Sequence, residues 1–255
     1  IGNKDFNTKE HTYVMGILNV TPDSFSDGGR YQNIDTALQH AEEMIKDGAA
    51  ILDIGGESTR PGYTPVSEEE EMERILPVIE AVKQRLDIPL SVDTYKGAVA
   101  EAAILAGADL INDIWGLKAD DRMAEIIAKH KVACCLMHNR SNQSYTDFLP
   151  DVLADLKESV VLARTAGILD ESIILDPGVG FAKDYAQNLE VLGNLEQIKT
   201  LGYPVLLGAS RKSVIGLTLD LPSEERLEGT LATTILFLLN SANTSSLFLV
   251  ISSSE

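Results

Sequence analysis

Residues 89–113, PLSVDTYKGAVAEAAILAGADLIND, contain one complete unit of the fold. Pro89–Asp93 is a short apolar run closed by a carboxylate and by Thr94. Ala98–Ala106 is a longer helix-like stretch, and Gly107 falls where that helix should stop, since glycine takes the left-handed cap without a Cβ penalty. Leu110–Asp113 is a second short run, and it too ends polar, in Asn112 and Asp113. Strand, helix, strand in that order is a parallel βα unit.

The same alternation extends in both directions. The other strand-like runs are Val14–Val20, Ala50–Gly55, Val132–Met137, Ile173–Asp176, Pro204–Gly208 and Leu247–Ile251. Amphipathic segments lie between them: Ile34–Lys46, Glu68–Arg85, Arg122–Lys129, Pro150–Ala166, Ala186–Leu201 and Glu224–Asn240. Gly48, Gly167 and Gly202 stop helices as Gly107 does. Ser67 followed by four glutamates reads as an N-cap with acids facing the positive end of the helix dipole, on a solvated helix. Eight strand signals alternating with helices predict an α/β fold, a single (β/α)8 TIM barrel over residues 1–255, with the eighth helix missing or altered at the C-terminus. No repeat or low-complexity segment appears before residue 240.

A chain of 255 residues with 44% hydrophobic side chains can bury a sizeable core. Its net charge of −18, from 39 acids against 21 bases, argues against nucleic acid and anionic membrane as partners. Any anionic substrate must therefore be held by a local cluster of bases or by a metal. Cys134 and Cys135 are adjacent in a strand-like run and so face opposite ways, as core hydrophobes rather than a disulfide. No signal peptide and no apolar stretch long enough for a bilayer is recognised, and a reducing cytoplasm is the expected location.

In such barrels chemistry gathers at the C-terminal ends of the strands, and here those ends are polar almost without exception. They are Asn19, Glu57–Gly62, Asp93-Thr94, Asn112-Asp113, Met137-His138-Asn139, Asp176-Pro177-Gly178 and Ser210–Ser213. Asp93, Asn112 and Asp176, with the Lys212 amine, suit a flat polar heterocycle, because a carboxylate accepts the two parallel N–H groups of an aminopyrimidine edge. Arg60, Arg211 and Lys212 are the bases available to an anion. After Asn19, Thr21-Pro22-Asp23 breaks the strand, and the Ser/Asp/Gly loop that follows carries Phe25, a composition suited to folding over a ligand.

Simpler readings compete at several positions. Asp53 is read as the cap of the next helix. His138 is read as an orienting or core histidine, since no acid partner stands at a suitable spacing. Gly178-Val179-Gly180 lacks the third glycine and downstream acid of a dinucleotide loop. Trp115 is read as packing under the rim.

Met15–Gly29, DIGGESTRPG (53–62), SVDTY (91–95), Ile111–Asp113, Leu136–Asn139, LDPGVGFAK (175–183) and GASRKS (208–213) together resemble the dihydropteroate synthase family, over roughly residues 14–234. The resemblance implies a (β/α)8 barrel that joins 6-hydroxymethyl-7,8-dihydropterin pyrophosphate to p-aminobenzoate with Mg2+, a homodimer built from late helices, and sulfonamide inhibition. Carried over by position, Asp93, Asn112, Met137, Asp176 and Lys212 resemble the pterin-binding set. Asn19 resembles the amide that meets metal and pyrophosphate, and Phe25 and Asp27 the closing elements beside the reacting centre. Thr59, Arg60, Pro61, Phe181 and Ser213, with Lys212, resemble the p-aminobenzoate pocket.

One departure stands out. The family's Arg-x-His pair on the eighth strand would fall at Ser246 and Phe248, or at Leu249 and Ile251, and the sequence holds no Lys, Arg or His after Arg226. An altered tail, a truncated chain and a lost part of the anion site all account for this, the first two preferred because the other motifs are intact. Two alternatives to the synthase are a pterin-binding methyltransferase of the methyltetrahydrofolate type and a catalytically impaired pterin-binding protein.

Overall fold

The computed structural model describes residues 1–20, 30–58, 64–240 and 247–252. Parallel strands alternate with helices and curl into a TIM-barrel-like sheet. The strands are β1 (Thr12–Asn19), β2 (Ala49–Gly55), β3 (Leu90–Asp93), β4 (Leu110–Asp113), β5 (Ala133–Met137), β6 (Ile173–Asp176) and β7 (Val205–Gly208), and neighbours in sequence pair with one another. A further strand, β8 (Leu247–Ser252), pairs in parallel with both β7 and β1.

The helices among the described residues are α1 (Arg30–Lys46), α2 (Glu68–Arg85), α3 (Gly97–Ala106), α4 (Met123–His130), α5 (Phe148–Ala166), α6 (Tyr185–Gly193), α7 (Leu195–Lys199), α8 (Ser213–Leu219) and α9 (Leu227–Asn240). Ser67 caps α2 by accepting from the Glu70 amide, as its sequence predicts. Gly107 and Gly167 end α3 and α5 in the left-handed region. The segment expected as one helix over 186–201 is two, because Asn194 leaves helical geometry and its side chain instead caps the Glu190 carbonyl. The acidic start of α2 is only partly solvated: Glu71 turns inward and is 1% exposed.

Strand parity divides the core in two. One set of positions faces the helices, including Leu52, Val92, Ile111, Cys134, Leu175 and Leu207. The alternate set, Met15, Ile51, Leu110, Ala133, Cys135, Ile174 and Leu206, forms a separate inner cluster. The two free cysteines thus lie on opposite sides of β5, each fully buried, as expected.

Candidate active site

Most inner positions become polar on moving up the strands, Met137 being the exception. Asn19 lies four residues above Met15 on β1, Asp53 two above Ile51, Asn112 two above Leu110, Met137 two above Cys135 and Asp176 two above Ile174. Each shares the inward parity of its apolar neighbour below. Register sets them side by side: Asn19 pairs with Gly55, Gly55 with Asp93, Asp93 with Asn112, and Met137 with Asp176.

Two glycines keep this surface open. A Cβ added at Gly55 would sit 3.7 Å from both Asn19 Oδ1 and Asp93 Cβ. One added at Gly208 would lie 3.5 Å from Lys212 Nζ and 3.6 Å from Asp176 Oδ2. Asn19 with Asp93, and Lys212 with Asp176, therefore flank floors that carry no side chain.

The buried acids are held away from their usual ionisation. Burial, reinforced by the nearby Asp53 carboxylate, pushes Asp93 well up. Burial also raises Asp176, against the counteracting charge of Lys212, while its Oδ1 accepts from Gly178 N at 2.7 Å. Burial lowers the Lys212 ammonium, which donates to the Val179 carbonyl and sits 4.8 Å from the Phe181 ring centre. Phe181 is half-buried and Ser213 exposed beside them. Phe25, Asp27, Thr59, Arg60 and Pro61 lie outside the described residues.

Two expectations are corrected. Asp53 does not cap a helix: it is an inward residue of β2, 4% exposed, and its Oδ2 accepts from Asn112 Nδ2 at 3.1 Å. Burial raises its carboxyl, and its Oδ1 has no hydrogen-bond partner among the described residues. His138 does have an acid partner, because its Nε2 lies 3.1 Å from Oδ2 of Asp155 on α5. Nδ1 of the same ring meets Lys183 Nζ at 2.8 Å. His138 is buried, as a core histidine would be, with partners that no local spacing announces.

Beside the mouth, Glu57 organises the segment that follows β2. Its carboxylate accepts from Tyr95 Oη at 2.9 Å, Val66 N at 2.9 Å and Lys96 Nζ at 2.7 Å. Lys96 also reaches Glu71 at 2.6 Å and the Val66 carbonyl at 2.8 Å. Both acids and the lysine are largely buried, so this is a desolvated triad rather than a surface pair. The described residues include no cluster of three His, Cys, Asp or Glu side chains able to cage a metal. What Asn19 offers at the mouth is one amide oxygen. An amide oxygen is a hard donor of the kind Mg2+ takes.

Residues 15–245 match the model of the pterin binding enzyme family, and the chain belongs to that family. Its relatives specify the activity more narrowly. The dihydropteroate synthase of Clostridium beijerinckii is 62% identical over 242 residues, 95% of this chain and 90% of that one. A structure of the dihydropteroate synthase from Clostridium difficile in the presence of pteroic acid superposes with a TM-score of 0.92 at 50% identity, covering 96% and 93% of the two chains. That of Xanthomonas albilineans with 4-aminobenzoic acid gives 0.88 at 41%, covering 95% and 88%.

Proposed function

We propose that this chain is a dihydropteroate synthase, condensing 6-hydroxymethyl-7,8-dihydropterin pyrophosphate with p-aminobenzoate to give 7,8-dihydropteroate and pyrophosphate. The observation that carries the reading is the convergence of Asp93, Asn112, Asp176 and Lys212 on one glycine-floored mouth, in a chain whose relatives bear that name. The matching architecture is a single (β/α)8 TIM barrel domain over 1–255, with the eighth helix missing or altered.

Asp176 accepts the aminopyrimidine edge, and its second oxygen is already committed to Gly178 N, which fixes the carboxylate plane. Asn112, pinned from below by Asp53, turns its remaining amide face to the ring. Acids around the pterin tolerate positive charge at its exocyclic carbon as the C–O bond breaks and its electron pair leaves with pyrophosphate. The neutral aniline nitrogen then forms the C–N bond and releases a proton to solvent, so no strong base is needed. Phe181, Lys212 and Ser213 take the aminobenzoate, with Thr59, Arg60 and Pro61 completing its pocket. Phe25 and Asp27 close the centre against water. Asn19 would hold Mg2+ arriving with the pyrophosphate group, and the ion would supply positive charge for the leaving group.

Exposed apolar side chains on α6, α8 and α9 support a homodimer through that face: Leu189, Leu217, Leu231, Ile235 and Leu236 are 43–68% exposed. No helix among the described residues is long and apolar enough to cross a membrane. The two free thiols suit a reducing cytoplasm.

The purified chain, given both substrates and Mg2+, should form 7,8-dihydropteroate and be blocked by a sulfonamide. Absence of product would overturn the reading. The uncharged β8 sequence favours one rival, an impaired pterin-binding protein, which would bind pterin without turnover.

A further inference from the structure

The turn between β6 and α6 is built on a buried cation that the chemistry above leaves unused. Lys183 is 5% exposed, and its ammonium has three hydrogens and three acceptors: His138 Nδ1 at 2.8 Å, the Gly178 carbonyl at 3.0 Å and the Phe181 carbonyl at 3.0 Å. No donor remains for a substrate. Burial pulls the ammonium down to about 7, so placing a lysine here has a cost that an apolar residue would avoid.

The turn takes a backbone path that most side chains avoid. Gly178, Gly180 and Ala182 all have positive φ, at 69°, 86° and 47°. Its backbone is pinned from outside. Tyr145 Oη donates to the Ala182 carbonyl at 2.7 Å, Asn188 Oδ1 accepts from Gly180 N at 2.6 Å, and the His138 amide donates to the Asp176 carbonyl at 2.8 Å. Behind Lys183, burial and the lysine's charge bring His138 down to about 3, so the ring is neutral. The Asp155 carboxylate only accepts, so Nε2–H donates to it and Nδ1 accepts from Lys183, while Asp155 Oδ2 is also held by Arg140 Nε at 2.6 Å. The same turn presents two groups to Lys212, the Val179 carbonyl and the Phe181 ring.

We propose that Lys183 is a positioning residue of this site: clasped by His138, it fixes the turn at 177–183 so that the Val179 carbonyl and Phe181 ring hold the Lys212 ammonium at the mouth. The inference rests on the proposed function for what Lys212 and Phe181 bind, not for how they are held.

The test uses Lys183→Met, with His138→Asn, which keeps an acceptor near Nδ1, and His138→Leu, which removes it. In ligand-free Lys183→Met, amide exchange across 177–183 should accelerate about tenfold. Its KM for p-aminobenzoate should rise about tenfold while kcat changes less than about threefold. His138→Asn should stay near wild type, and His138→Leu should match Lys183→Met. Faster exchange with an unchanged KM would reduce Lys183 to a structural residue and overturn the proposal, as would unchanged exchange. If Lys183→Met does not fold, equal KM values for the two His138 variants overturn it. If the wild-type protein makes no dihydropteroate, the proposed function fails separately. The exchange rates and affinity for pteroic acid then decide, with about tenfold weakening expected and unchanged affinity overturning the inference.

Discussion

Asn112 Nδ2 donates to Asp53 Oδ2 at 3.1 Å, a bond that passes from β4 to β2 beneath the intervening strand that carries Asp93. An amide side chain has no intrinsic preference between its two ends, and Asp53 supplies one. Asp53→Ala should therefore weaken binding of 6-hydroxymethylpterin by about 1–2 kcal/mol, while Asp53→Asn, which can still accept, should lose far less. Calorimetric titration of both variants checks this, and equal affinities would remove Asp53 from the account.

Asp93 carries the opposite liability. Burial raises its carboxyl, so the folded chain holds that proton more tightly than the unfolded chain does. The stability linked to the proton is present at low pH and is lost as pH rises from the ordinary 3.8 through the folded value. Asp93→Asn should accordingly be more stable than wild type at pH 7, by about 0.5–2 kcal/mol, with the gap closing below about pH 4. Pterin affinity should fall sharply in the same variant. Urea unfolding at the two pH values, alongside calorimetry, reads both effects.

Lys96 pairs with two buried carboxyl groups at once, 2.7 Å from Glu57 and 2.6 Å from Glu71. Lys96→Met should cost about 3–5 kcal/mol, since both acids would remain buried without a cation. Adding Glu71→Gln to that background should recover part of the loss. A denaturation double-mutant cycle measures the coupling, and simple additivity would contradict it.

At Gly178 the constraint is steric. Its φ is 69°, and an added Cβ would fall 2.0 Å from the His138 carbonyl oxygen. Gly178→Ala should destabilise the fold by more than about 2 kcal/mol. A chemical-denaturation midpoint equal to wild type would show that the two loops are not locked together there.

Leu231 and Ile235 stand on the exposed face of α9 at 48% and 53%. Leu231→Glu should leave the monomer fold intact and dissociate the proposed dimer, as sedimentation velocity would record. A wild-type chain that already sediments as a monomer would contradict the dimer.

The alternation of runs and the polar strand ends were readable because each depends on local pattern: period-two burial, a cap, a stopping glycine. Asp93, Asn112 and Asp176 fall at mouth positions for that reason. The cap reading of Asp53 fails because an acid near a strand end has the same local look whether it caps the next helix or faces inward. Its shared parity with Ile51 was the available signal that it faces inward. The partners of His138 are not legible in the sequence: Asp155 lies 17 residues away on α5, and Lys183 comes from another loop. Glu71 was equally hidden, since nothing in a run of four glutamates says which one meets Lys96.

The glycine beneath Lys212 and Asp176 has a consequence for inhibitor escape. Gly208, like Asp176, is a strand residue, and a larger side chain there would press on both partners. A side chain grown from this floor to crowd out a flat competitor would stand against the same Lys212 and Asp176 atoms that the substrate heterocycle needs. Escape by substitution at Gly208 should therefore weaken substrate and competitor together.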